Sequence, residues 1–172
     1  VIKNYSINTF DDYQHAAHAT AVYPAGLMYY PVLGLVGEAG ELYVACTNWR
    51  DGGYDIIKEA GDVLWYCAEI CTSHGRRLQE CYMGELIGPM TMRSVQPMFM
   101  ASKIAELYKK AIRSGAEAPE FKNLIPAIST ILIVINNIAS DYDLRIYDIM
   151  ERNLEKLSAR AADGELKERK NS

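Results

Sequence analysis

No basic excess runs through this sequence. Its 18 lysines and arginines are outnumbered by 22 acids, for a formal charge of -4. A duplex-binding protein needs a cationic stripe to displace phosphate counter-ions, so nucleic acid is not an expected partner. Cysteine is sparse: Cys46, Cys67, Cys71 and Cys81 include no Cys-x-x-Cys pair. Free cysteines in apolar, helical surroundings pack as small hydrophobes, and these four are read as reduced core thiols. The three histidines, His15, His18 and His74, are poorly placed to complete a zinc site. Long apolar runs are missing too. Lys3, Asn4, Asp11 and Asp12 interrupt the beginning, so no signal sequence is expected. The most apolar stretch, 124–139, contains Pro126, Ser129, Thr130, Asn136 and Asn137 and is too short to cross a bilayer. No membrane partner is expected, and the chain is read as soluble and cytoplasmic (host cytoplasm if the gene is viral).

The apolar share, 49% of 172 residues, suffices for one domain with a sizeable core. Its periodicity is helical. Thr9 is a good N-cap, and Phe10, Tyr13, Ala17, Thr20 and Ala21 follow at helical spacing up to Tyr23-Pro24. A second helix fits Pro31 to Trp49, with Leu33, Val36, Gly40, Tyr43 and Val44 expected on its buried side, and Asp51-Gly52-Gly53 ends it. A third fits Asp55 to Ser73 and is apolar enough to be buried over most of its circumference. Residues 76–96 read as a short helical turn and a loop. Further helices fit Met98 to Arg113, Lys122 to Tyr142 and Leu144 to Ala161. The run from Ile131 to Ile135 resembles a buried strand, but its flanks keep helical spacing and no partner strand appears, so it is read as helix. The expected fold is an all-α helix bundle.

Two acidic pairs stand out in that frame: Glu38 and Glu41 in Gly37-Glu-Ala-Gly-Glu41, and Glu59 and Asp62 in Lys58-Glu-Ala-Gly-Asp62. Spacing of i, i+3 puts both carboxylates of a pair on one helix face, one turn apart. A short turn at Gly52-Gly53 lays the two helices side by side and brings the four acids to one level. Hard divalent cations take such oxygen ligands, and magnesium combines carboxylates with waters and substrate phosphates. An arbitrary Glu-x-x-Glu is usually a solvated face. Here strongly apolar residues flank both pairs, where unpaired charge is costly. Gly34, Gly37, Gly40 and Gly61 also each cost a helix interior about 1 kcal/mol relative to alanine, which close approach of backbone, ion or phosphate would offset.

The segments Gly34-Leu-Val-Gly-Glu-Ala-Gly-Glu-Leu42 and Lys58-Glu-Ala-Gly-Asp-Val-Leu-Trp-Tyr66 resemble the two signature stretches of MazG-like nucleotide pyrophosphatases, the phage type especially. Tyr13-Gln14 and Thr20-Ala-Val-Tyr-Pro24 are similar to that family's first helix and following loop, and Asn153-Leu-Glu-Lys-Leu-Ser-Ala-Arg160 to its closing helix. The likeness covers roughly residues 9–75 and 144–164. It implies that Glu38, Glu41, Glu59 and Asp62 bind Mg²⁺, with Mn²⁺ able to substitute, and carry catalysis. Asn153, Lys156 and Arg160 would meet the nucleotide and its phosphates. The implied reaction is attack of water on the α-phosphate of a nucleoside triphosphate, releasing monophosphate and pyrophosphate. An acid not fully engaged with metal, Glu41 or Glu59, would take the water's proton. Gln14, Asn48, Trp49 and Trp65 are the candidate base readers. A purine deoxynucleotide, dGTP first, is the expected substrate.

Two departures accompany the likeness. The family often carries lysines late in the second helix, where this chain has Cys46-Thr-Asn-Trp-Arg50, so Arg50 is the candidate replacement charge. Residues 81–141 also intervene where the family passes almost directly to its last helix. That insertion reads either as an extra helical pair or as a degenerate repeat. Ile104-Ala-Glu-Leu-Tyr108 echoes Ala39-Gly-Glu-Leu-Tyr43, with Lys103, Leu124 and Ala127 at the positions of Glu38, Glu59 and Asp62. The competing function is a non-catalytic helical scaffold or nucleotide-binding protein whose acids hold a structural ion. Apolar helix surface in excess of one packing layer predicts a homodimer or homotetramer.

Overall fold

Residues 5–24, 26–48, 53–83 and 94–162 are described by the computed structural model. Among them the chain is all-helical, with no strand. The helices are α1 (Phe10–His18), α2 (Tyr30–Thr47), α3 (Tyr54–Ser73), α4 (Gln96–Arg113), α5 (Ile125–Asp141) and α6 (Ile146–Ala162), with 3-10 turns at Leu78–Cys81 and Phe121–Asn123. No single helix among these residues is long and apolar enough to cross a membrane.

The helix starts follow local chemistry. Thr9 Oγ1 accepts the Asp12 amide at 3.0 Å, satisfying one of the free donors of the first turn. Pro31, Pro97 and Pro126 sit in the first turns of α2, α4 and α5, where a missing N–H costs nothing. Asp148 accepts the Arg145 amide at 2.7 Å and pairs with its guanidinium, which caps α6. Gly53 precedes α3 at φ +83°, and a Cβ there would lie 2.1 Å from the Tyr142 ring. Both the left-handed backbone and the close approach require glycine.

α3 is the central element, packed against α2, α6, α1 and α5. Its Ile56, Ile57, Ala60, Val63, Leu64, Cys67 and Ile70 are all buried. The run Ile131–Ile135 is likewise buried at every position within α5, so its continuous apolarity reflects a helix enclosed on all sides. Cys67, Cys71 and Cys81 are buried free thiols, with the Cys71 and Cys81 sulfurs 3.9 Å apart, and Cys46 is half-buried. α4 and α5 pack on each other, α4 against α2 and α5 against α3. Lys109 and Lys110 pair with Glu106 on the outside of α4.

Two expectations need correction. α1 stops at His18 instead of continuing to Tyr23. The Thr20 hydroxyl donates to the Ala17 carbonyl at 2.7 Å, and the Trp65 indole donates to that same carbonyl and to Thr20 Oγ1. These bonds satisfy the last turn and free the following residues to cross over α3. The buried face of α2 is also rotated. Val32, Leu35, Ala39 and Leu42 point inward, whereas Leu33, Val36 and Val44 are 66%, 37% and 53% exposed. α2 is apolar around most of its circumference, so periodicity could not choose the inward side.

Candidate metal centre and adjoining cleft

α2 and α3 lie antiparallel. Gly34 fits under Tyr66, where a Cβ would come within 2.1 Å of the ring. One turn further along, Glu38 feels the charges of Asp62, Glu41 and Glu59. Oxygens of Glu38, Glu41 and Glu59 lie within 4.8 Å of one another. Donors around one octahedral magnesium stand about 3 Å apart when adjacent and about 4 Å when opposite. The trio therefore fits one cation after a small inward movement.

Glu59 supplies an independent sign of a missing partner. Its side chain is buried, with Oε1 against the Lys58 ammonium, while Oε2 has no hydrogen-bond partner among the described residues. An orphaned buried carboxylate oxygen is costly, and a bound cation would satisfy it. Asp62 is not within the trio. Its Oδ1 accepts from Asn153 Nδ2 at 2.9 Å and from the Lys156 ammonium. Among the described residues, Glu38 has no such ion-pair partner of its own. Burial, then the charges of Asp62, Glu41 and Glu59, raise its carboxyl to about 7, against a lowering influence from Lys156.

The α3–α6 crossing holds the flank of this cluster rigid. A Cβ at Gly61 would stand 2.9 Å from Asn153 Cβ, so glycine permits the contact. Asn153 is buried and receives the Tyr13 hydroxyl on Oδ1 at 3.0 Å while its amide donates to Asp62. Burial pushes the Tyr13 phenol well above its ordinary range, which keeps it a donor. Close approach thus accounts for Gly34 and Gly61. It does not account for Gly37 and Gly40, where a Cβ would meet nothing within 4 Å.

Glu38 and Asp62 also line a cleft of about 180 Å³. Its walls are aromatic: Tyr23, Tyr30, Trp65 and Tyr66, with Arg160 at the rim. Tyr23 stacks on Tyr30 with centroids 4.5 Å apart, and Trp65 meets Tyr23 and Tyr66 edge-on. The Trp65 indole N–H is already used on α1, which leaves its ring, and not its donor, to a ligand.

A phage protein shares part of this sequence. The Gene 37 protein of Mycobacterium phage L5 is 39% identical over 80 residues, spanning 35% of this chain and 67% of that protein. The chain belongs to the family of that Gene 37 protein. No protein-family model and no solved structure matches it.

For this phage family member, the remaining expected site residues fall in several places. Lys156 and Arg160 lie one turn apart on α6, the first against Asp62 and the second on the cleft. Gln14 is away from the cleft. It bonds Thr72 Oγ1, the Arg76 carbonyl and the Leu78 amide, stapling α1 to the end of α3. Asn48 is exposed beyond the end of α2, and Trp49 and Arg50 lie outside the described residues. Sequence reasoning gave Tyr23, Tyr30 and Tyr66 no role as cleft walls and Lys58 no role beyond its place in the motif, and it missed Glu69 altogether. Glu69 is fully buried, accepts the Tyr23 hydroxyl at 2.6 Å, and has His18 Nδ1 at 3.2 Å from both oxygens. A lone acid within Cys67-Ala-Glu-Ile-Cys71, the most apolar part of α3, was the available signal.

Proposed function

We propose that this chain hydrolyses nucleoside triphosphates to a monophosphate and pyrophosphate at the Glu38–Glu41–Glu59 cluster, as a MazG-like pyrophosphatase would. What carries the reading is one adjacency. Three converging carboxylates, one with a buried oxygen unpartnered among the described residues, adjoin through Glu38 an aromatic cleft that Glu38 and Asp62 line. The trio would hold Mg²⁺ or Mn²⁺, with Asp62 joining it once Lys156 lets go. When bound, the metal supplies a water of lowered pKa and neutralises phosphate charge.

The chain's own residues do the rest. Asn153 orients Asp62 through one hydrogen bond and is itself held by the Tyr13 hydroxyl. Lys156, released from Asp62, and Arg160 offer positive charge to phosphate oxygens along one edge. Tyr23, Tyr30 and Trp65 present ring faces to a base, and every base has a face to stack. A purine deoxynucleotide, dGTP first, is the proposed substrate: the larger ring covers more of the walls, and the deoxy sugar and guanine rest on the likeness to the phage-type MazG-like family. We place this activity in the cytoplasm, without a nucleic-acid or membrane partner. Tyr29, Leu33, Val36 and Val44 leave an exposed apolar face on α2, and a homodimer or homotetramer would cover it.

The test is pyrophosphate release from each of the eight common ribo- and deoxynucleoside triphosphates with Mg²⁺. A preferred substrate supports the reading. No release from any of them, despite a bound divalent ion, would leave the acids holding a structural ion in a non-catalytic scaffold.

A further inference from the structure

We infer that Glu69 is a positioning residue for substrate binding: it pins the strap between α1 and α2 (residues 19–24 and 26–29) through the Tyr23 hydroxyl, and so holds one wall of the aromatic cleft in place. The inference rests on the proposal that a nucleotide base occupies that cleft.

The strap joins α1 to α2 and passes over α3. Trp65 of α3 holds its start through Thr20 Oγ1 at 2.9 Å, and Met28 packs against the core near its end; between them it is bordered by open space. On one side lies the cleft of about 180 Å³, and on the other a cavity of about 400 Å³ lined by His18, Ala21, Leu27, Met28, Thr72 and Ser73. Tyr23 stands between the two, lining both. Its ring stacks on Tyr30 and its hydroxyl reaches Glu69 at 2.6 Å. Glu69 is fully buried, and the only groups on its carboxylate are that hydroxyl and His18 Nδ1, among the described residues. A buried carboxylate is expensive to leave without donors. The same energy that drives the acid to find donors therefore ties down the strap. Glu69 is ten residues beyond Glu59 on the same helix and outside the carboxylate trio, so its role is separate from metal binding.

The pin predicts a binding effect without a chemical one. Tyr23→Phe keeps the ring and removes the hydroxyl. A hydrogen bond to a charged group contributes enough that its loss corresponds to about tenfold in an equilibrium. In Tyr23→Phe, hydrogen exchange at backbone amides of the strap should accelerate about tenfold while the α3 amides keep their protection. KM for the preferred triphosphate should rise about tenfold with kcat within about twofold. Glu69→Gln, which retains an acceptor for the Tyr23 hydroxyl, should restore part of what Glu69→Leu loses. If either Glu69 variant does not fold, the exchange measurement on Tyr23→Phe decides the pin by itself. Unchanged strap exchange in Tyr23→Phe would overturn the pin. A fall in kcat with KM unchanged would overturn its role toward substrate. If the wild-type protein neither binds nor cleaves any nucleotide, the proposed function fails, and the exchange data alone then decide whether the strap is pinned.

Discussion

Replacing Glu38 by glutamine separates the charge of the carboxylate cluster from its shape. Burial and the charges of Asp62, Glu41 and Glu59 raise the Glu38 carboxyl from its ordinary value of 4.5 to about 7. At about 1.4 kcal/mol per pH unit, ionised Glu38 opposes folding by at most about 3 kcal/mol. The side chain is only half-buried, so solvent screening reduces this to about 1 kcal/mol. The sign follows from linkage. A carboxyl whose folded pKa lies above its unfolded value favours the fold while protonated. That stability is fully present below about pH 4.5 and is lost as pH rises through about 7. In chelator, Glu38→Gln should therefore raise Tm by about 2–4 °C at pH 8 and leave it nearly unchanged at pH 5. With Mg²⁺, pyrophosphate release should fall at least about a hundredfold, because a ligand that positions the ion has been weakened. Calorimetry at the two pH values and a turnover assay check both arms. A variant that melts lower than the wild type at pH 8 would rule out repulsion at Glu38, and one that keeps near-normal turnover would rule out Glu38 as a ligand.

Three further outcomes are expected. Turnover should vanish in excess chelator and return with Mg²⁺ or Mn²⁺, since clustered carboxylates repel a triphosphate unless cations stand between them; steady turnover in chelator would sink the metal assignment. Gly61→Ala should destabilise by about 1–3 kcal/mol, because its Cβ would press on Asn153. Gly37→Ala faces open space and should stabilise by about 0.5–1 kcal/mol in the same denaturant titration; equal effects at the two sites would contradict the crossing described here. Light scattering should give a dimer or tetramer mass for the wild type and a smaller mass for Leu33→Glu, and a monomeric, active wild type would count against the apolar face of α2 as an interface.

The helical architecture was legible because it depends on local pattern. Thr9, Pro31 and the apolar spacing of α3 act within a few residues of themselves. The continuous run in α5 was legible for the same reason, once its flanks showed helical spacing. The acidic pairs belong to this class too, since i, i+3 spacing already commits Glu38 with Glu41, and Glu59 with Asp62, to shared faces. Their mutual placement across α2 and α3 followed from a short connection.

What tertiary structure decided was partner choice. α2 is apolar on nearly every side, so only packing could select Leu35, Ala39 and Leu42 for the interior and leave Leu33 and Val44 outside. Asp62 has the same spacing from Glu59 as Glu41 has from Glu38, yet Lys156 and Asn153 draw it to the flank from 94 and 91 residues away. Gln14 looked like a base reader and became a staple, because the end of α3 and the Leu78 turn offered it three partners. Tyr23 and Glu69 are 46 residues apart. A buried carboxylate accepts whatever donor the fold delivers, and no periodicity in either segment encodes that meeting.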